Sequence, residues 1–333
     1  MDMIPEKKYL SLHDVENIEI DLKPNFFKHK TSVDRFGFTS MILEKLNLKF
    51  RYRTFCEWAH GWIWWDDEFL PIDVLGPRSY HKDLAIVVAS KKQQAILINE
   101  GYSNVILGGL PIVYTEDFPV TRKKNTLLAS IAHSAESDIQ HVLDHNYLDY
   151  LESIRKDWED IYVSVFGLDW SDNMDNAIKS RGLKLLYGAH PFDKSSLNRT
   201  KYNFLTVDSV SSNMMGSHIA YAVSCGCKTS LFSELAEYDP NVLPSSSLGY
   251  TLQDAERLSR FYQYEYLIER FPYLFKNPEN GYTDTDLGSL WIGKSFKLNN
   301  IELMEALGWN AHGQLTGYTK GFYRRVKRIM DNR

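Results

Sequence analysis

The chain has 333 residues, enough for two domains of ordinary size that bury their cores without disulfide or metal staples. With 44% hydrophobic and 24% charged residues it has the composition of a globular protein, and its formal net charge of -5 argues against a nucleic-acid partner, which usually leaves a basic face. No uncharged run approaches the ~18 residues needed to cross a bilayer, and Asp2, Glu6, Lys7 and Lys8 interrupt any apolar leader, so a cytoplasmic, folded protein is expected. Cys56, Cys225 and Cys227 lack the partners of a zinc site and read as reduced, structural cysteines.

Along the chain, the first third is rich in aromatics, with Trp58, Trp62, Trp64 and Trp65 inside eight positions. Such a cluster suits either a core or a platform on which sugar rings stack. From Leu84 the pattern becomes regular: 84–89 reads as a strand, 91–101 as an amphipathic helix and 104–114 as a second strand, a βαβ unit and hence parallel sheet. Residues 118–125, with Pro119 and the triplet Arg122, Lys123, Lys124, interrupt the apolar pattern and read as an interlobe linker. Beyond it, strands are expected at 126–132, 161–166, 183–187, 206–211 and 228–232, separated by helices at 147–158, 174–181, 195–204 and 215–224. That alternation predicts a doubly wound sheet of at least five parallel strands. After Pro244 a long helix is expected over 252–271, then a loop at Pro278, Asn280 and Gly281 and further helices.

Ligands of open α/β sheets bind beyond the carboxyl ends of the strands, which directs attention to four segments. The first strand of the second lobe delivers His133 and Ser134 at its tip, followed by Glu136 and Asp138; a histidine there can exchange a proton near neutral pH, or simply cap the next helix. In Gly188-Ala189-His190-Pro191, the proline holds His190 extended and Gly188 admits a ligand close to the backbone. Ser211, Ser212, Asn213, Gly216, Ser217 and His218 lead from a strand into a helix, where orphan amides and the helix dipole make an anion site, although Ser and Asn are also ordinary N-caps. In the first lobe, Glu57, Trp58, His60, Gly61 and Trp62 combine a carboxylate, an imidazole and stacking rings, equipment for binding a sugar hydroxyl and removing its proton, or else form an aromatic core. Asp169 is a further candidate base, and Arg199 and Arg53 are candidates for neutralising a phosphate.

These segments together resemble glycosyltransferases of the GT-B type, in particular bacterial enzymes of surface-polysaccharide loci, over roughly residues 58–232. The resemblance rests on Gly109-Leu110-Pro111-Ile112-Val113-Tyr114, Ala132-His133-Ser134, Gly188-Ala189-His190 with Asp193 and Arg199, and Ser212-Asn213 with Gly216-Ser217-His218. The His-Pro pair followed by a Ser-rich turn is also similar to sialyl- and Kdo-transferases, which implies that His190 contacts the phosphate of a CMP-sugar and that Ser211, Ser212 and Ser217 surround it. The Asp/Glu-Asp/Glu-Gly motif of many sialyltransferases is not evident.

The expectation is therefore an α/β, GT-B-like protein of two Rossmann-like lobes facing a cleft: an acceptor lobe at 1–117, a linker at 118–125, a donor lobe at 126–250 and a helical region at 251–333 packing across both. His133, His60, Asp169 or Glu57 would move the proton, Trp58, Gly61 and Trp62 would bind the acceptor, and the nucleotide-sugar is a co-substrate with no metal or other cofactor expected. Partners would be that donor and a glycan or glycolipid acceptor, such as a lipopolysaccharide or capsule precursor. The basic run Arg324, Arg325, Lys327, Arg328 is either a solvated helix face or a contact with anionic headgroups at the inner membrane face. An epimerase or polyol-phosphate transferase on the same fold, and a non-enzymatic carbohydrate-binding protein built on the tryptophan cluster, remain as alternatives.

Overall fold

A computed structural model describes residues 24–28, 31–50, 52–77, 81–133, 144–236, 240–241 and 249–331, with residues 324–329 and 331 described by backbone alone. Two parallel sheets organise the chain. In the first, β1 (Cys56–Trp58), β2 (Ala85–Val88) and β3 (Val105–Leu107) pair in sequence order. Cys56 lies opposite Ala85, and Ile86 opposite Val105. Helices α1 (Phe38–Lys45), α2 (Ile72–Leu75) and α3 (Lys91–Asn99) belong to this lobe; the Ser90 hydroxyl caps α3 by accepting from the Gln93 amide at 3.1 Å.

The second sheet has the order β6-β5-β4-β7-β8, with β4 (Lys123–Ser130), β5 (Asp160–Val165), β6 (Lys184–Tyr187), β7 (Val207–Ser212) and β8 (Lys228–Leu231) all parallel. Helices α4 (His145–Ser153), α5 (Asp172–Ser180), α6 (Ser196–Thr206) and α7 (Ser217–Ser224) connect the strands. The chain leaves β4 towards β5 and β6, then returns to the other side for β7 and β8, so the topological switch point lies between the carboxyl ends of β4 and β7.

Both faces of this sheet are covered, which is why its strands read as apolar runs. Leu127, Ala129, Ile161 and Val163 point into one cluster with Tyr147, Leu148 and Ile178. Leu128, Tyr162, Leu186 and Val210 point the other way, into a core that continues through the first lobe. Helices α8 (Leu252–Arg260), α9 (Tyr264–Arg270), α10 (Thr285–Trp291), α11 (Asn300–Leu307) and α12 (Ala311–Asp331) close the chain. They engage both sheets: Arg257 pairs with Asp73, the Trp309 indole donates to the Thr54 hydroxyl, and Gly288 lies so near α7 that an added Cβ would sit 2.3 Å from the Ser224 amide nitrogen.

Several expected boundaries are corrected. The basic triplet is not a linker: Lys123 begins β4, and the Arg122 guanidinium donates to the Cys225 and Val207 carbonyls, tying the strand to its neighbours. The strand expected over 104–114 ends at Leu107, because Gly109 takes a left-handed φ of 71° and Pro111–Tyr114 winds into a 3-10 turn whose Leu110 amide bonds the Ile292 carbonyl. The helix expected over 252–271 breaks at Phe261, whose carbonyl accepts the Trp64 indole N–H at 3.0 Å while its ring stacks on Trp65.

Candidate functional site

A cavity of about 270 Å³ opens between the lobes at the carboxyl ends of the strands. Ser130, Ile131 and His133 reach it from the end of β4, Ser164 and Phe166 from β5, and Gly188 and Ala189 from β6. Ser217, His218 and Tyr221 of α7 close the side beyond β7. The first lobe contributes His60 and Gly61, which come after β1, together with Phe36 and Pro111. This is the switch-point position at which open α/β sheets hold their ligands.

Local contacts explain how these groups are brought together. The Ser217 hydroxyl accepts the Trp62 amide at 2.8 Å, and the Tyr221 hydroxyl donates to the His60 carbonyl at 3.2 Å, so the loop after β1 is stitched to the start of α7. Gly61 makes this approach feasible, since a Cβ there would lie 2.7 Å from the Ser217 oxygen. At the switch point, the Asn213 side-chain oxygen accepts the Ala132 amide at 2.8 Å and its nitrogen donates to Asp144 at 2.6 Å, fixing the end of β4 against the end of β7. His133 comes directly after and lies flat on Phe166, with ring centroids 4.6 Å apart.

The Ser212 hydroxyl lies 2.9 Å from the Ser130 and Met214 carbonyls and 2.9 Å from His218 Nε2. With its single proton on one of those carbonyls, the His218 tautomer that completes the pattern is the one donating through Nε2–H. Burial, reinforced by the neighbouring His133, pushes the His218 pKa down to about 3. His218 is therefore neutral at physiological pH, and the cleft presents a neutral imidazole beside His133 and the first amides of α7. Such an end of the cleft can stabilise an anion by hydrogen bonds and the helix dipole.

Other expected site residues lie elsewhere. His190 is 4% exposed and outside the cavity wall: its Nδ1 accepts the Phe192 amide at 3.1 Å, and Phe26 packs edge-on against its ring at 4.9 Å. The Pro191 carbonyl accepts the Phe36 amide at 2.8 Å, so the His-Pro turn clamps the segment carrying Phe36 rather than reaching a ligand. Arg199 is 1% exposed and pairs with the fully buried Asp193, whose other oxygen accepts the Asn25 and Ser195 amides. Ser211, Ser212 and Asn213 are likewise buried beneath the turn, and Gly216 is an extended N-cap outside the wall.

The tryptophans pack rather than line. Trp58 is 1% exposed, donates its indole N–H to the Gly109 carbonyl at 2.8 Å and packs against Phe38 and Tyr114. Trp62 stacks on Trp291 at 4.4 Å. Glu57 accepts the Ser32 hydroxyl, and Asp169 sits in the turn after β5; neither reaches the cavity. Arg53 lies beside the Phe55 and Tyr318 rings. Ser134, Glu136 and Asp138 lie outside the described residues.

Phe36, Ser164, Thr200 and Asn203 also stand on the wall, and no sequence motif singles them out. On α6 the only available signal is the polar series Ser196, Thr200, Asn203, spaced to share one helix face. Among the described residues no group of three or more His, Cys, Asp or Glu side chains is placed to hold a metal ion, and no helix is long and apolar enough to cross a membrane.

No family model and no curated protein matches the chain. Among solved structures, it is similar to a mutant of S. aureus TarM in complex with Fondaparinux, alpha-GlcNAc-glycerol and UDP, at 10% identity and a TM-score of 0.29, over 71% of this chain and 43% of that one. It is also similar to the UDP-GlcNAc 2-epimerase of Methanocaldococcus jannaschii, at 12% identity and a TM-score of 0.32, over 68% of this chain and 62% of that one. The chain thus spans less than two thirds of either neighbour's length. The architecture itself is two parallel-sheet α/β lobes with a cleft at their strand ends.

Proposed function

We propose that the chain is a glycosyltransferase that binds a nucleotide-sugar in the interlobe cleft and transfers the sugar to a glycan or glycolipid acceptor. The observation that carries this reading is the meeting, in one cavity at the switch point, of His133, the neutral His218, the first turn of α7 and, from the opposite lobe, His60. Preorganised donors of this kind stabilise charge that develops on a departing phosphate. His133 and the amides at Ser217 and His218 would hold that phosphate. His60, arriving from the other lobe, would take the proton of the attacking acceptor hydroxyl.

The donor could be a CMP-, UDP- or GDP-sugar, since His190, Ser211 and Ser212, which singled out a CMP-sugar in the sequence, lie off the cavity wall, and the expected product is a bacterial surface polysaccharide. A peripheral membrane encounter through Arg324, Arg325, Lys327 and Arg328 is part of it, supported by the exposed Leu315, Phe322 and Met330 on the same helix, α12. A carbohydrate-binding module built on the tryptophans is disfavoured, since all four are 8% exposed or less.

A thermal-shift series with CMP, UDP, GDP and TDP tests the donor site. A ligand present at 100 times its Kd stabilises the native state by about 2.7 kcal/mol, so one nucleotide should raise the midpoint by several degrees. His133→Ala should abolish that shift. A flat response to all four nucleotides refutes the reading, and labelled-donor product analysis separates transfer from epimerisation.

A further inference from the structure

The cavity wall also carries the apolar side chains of Leu128 of β4, Pro111 of the first lobe and Phe204 of α6. One strongly polar side chain stands among them. Asn203 is 4% exposed, lines the cavity, and its side-chain oxygen accepts no hydrogen bond among the described residues. Ser196, on the same helix face, behaves differently: its hydroxyl accepts the His190 amide at 3.1 Å and so belongs to the fold. Buried carbonyls are almost always satisfied, and an orphaned one carries a desolvation cost that nothing in this fold returns. A purely structural position on this buried wall would be better filled by leucine.

We infer that Asn203 is a specificity-determining residue of the cleft, whose side-chain oxygen accepts an N–H from a planar amide-type group of the ligand seated against the Leu128, Pro111, Phe204 wall. The inference rests on the donor-cleft reading and adds the chemistry of the group on that wall. A flat group with adjacent N–H and C=O fits an amide partner and apolar walls together, whereas a sugar ring studded with hydroxyls would leave those walls against polar surface. Two parts of a nucleotide-sugar carry this chemistry: the edge of a pyrimidine base and the acylamino group of an amino sugar.

The test uses the full chain and the variants Asn203→Leu and Asn203→Ala, the second in case leucine overfills the site. Unfolding midpoints are measured without ligand. Affinities are then measured by calorimetry for CMP and UMP, which offer the base without the sugar, and for N-acetylglucosamine beside glucose, which offer the acylamino group without the base. The expected result is a ligand-free midpoint for Asn203→Leu equal to or above that of the wild type, with affinity for one probe class weaker by at least about tenfold. Loss confined to the nucleotides assigns the wall to the base. Loss confined to N-acetylglucosamine, with glucose bound poorly by both proteins, assigns it to the acylamino group. Unchanged affinities, or a midpoint lowered by both substitutions with binding intact, overturn the inference while leaving the donor cleft standing. Failure of the wild type to bind any of these probes overturns this inference, whereas the donor-cleft reading falls only with a flat response to CMP, UDP, GDP and TDP.

Discussion

Two histidine-bearing strand ends in the second lobe look alike in sequence and do opposite things in the fold. At the end of β4, His133 lies on Phe166 and faces the cavity. After β6, His190 is turned inward, its Nδ1 occupied by the Phe192 amide and its ring enclosed by Phe26, Tyr187 and Phe192. The difference originates in the residues on the carboxyl side of each histidine. Proline after His190 forces an extended residue and a tight turn, and Asp193 then closes that turn with the Asn25 and Ser195 amides and the Arg199 guanidinium. A stiff His-Pro pair here marks a turn tied to a neighbouring segment, and the histidine after β4 is the one on the cavity wall.

The comparison breaks most severely at the Asp193–Arg199 pair. Replacing one member leaves a buried charge without its partner, which costs about 3–5 kcal/mol. Asp193→Ala should therefore lower stability by that amount in urea unfolding. His190→Ala should also destabilise, while the nucleotide affinity of the folded protein stays unchanged. If instead His190→Ala leaves stability intact and removes nucleotide binding, the assignment of the two ends must be exchanged.

His133→Ala should behave as the mirror image. The side chain is only part-buried at the cavity edge, so stability should change by no more than about 1 kcal/mol. Affinity for the responding nucleotide should fall at least about tenfold, the usual consequence of removing a hydrogen bond to a charged group. Titration of both alanine variants with that nucleotide distinguishes the two histidines in one experiment.

The same two ends show what sequence could and could not reveal. The five strands of the second sheet were legible because each is covered on both faces and so reads as a short apolar run between amphipathic helices. β1 was not, since three residues, Cys56–Trp58, carry too little periodicity and the tryptophans around it read equally as a core or a platform for sugar rings. The break at Phe261 was hidden too: no Gly or Pro marks it, and it depends on an indole 197 positions away taking a helix carbonyl. For the site, strand-end logic pointed to His133, His60, Ser217 and His218, but it could not separate a histidine facing the cleft from one facing the fold. Asn203 escaped notice because it is a mid-helix polar residue, and its unsatisfied oxygen exists only once the fold buries it.

At neutral pH the smallest effect is that at His218, and it grows as pH falls. An unfolded histidine titrates near 6.5, whereas burial holds the folded one at about 3. Between these values the unfolded chain binds a proton that the folded chain refuses. The contribution of His218 is thus complete above pH 6.5 and is progressively lost as pH falls towards 3, at up to about 1.4 kcal/mol per unit. His218→Gln retains a donor for the Ser212 oxygen but has nothing to titrate. Wild type and variant should accordingly have similar urea midpoints at pH 7.5, and the wild type should lose more stability on moving to pH 5. Carboxylates that titrate in the same range are common to both proteins and cancel in the difference. Parallel pH profiles would mean that His218 is solvated and charged in the folded state, and the end of the cleft would then carry a cation in place of a neutral donor.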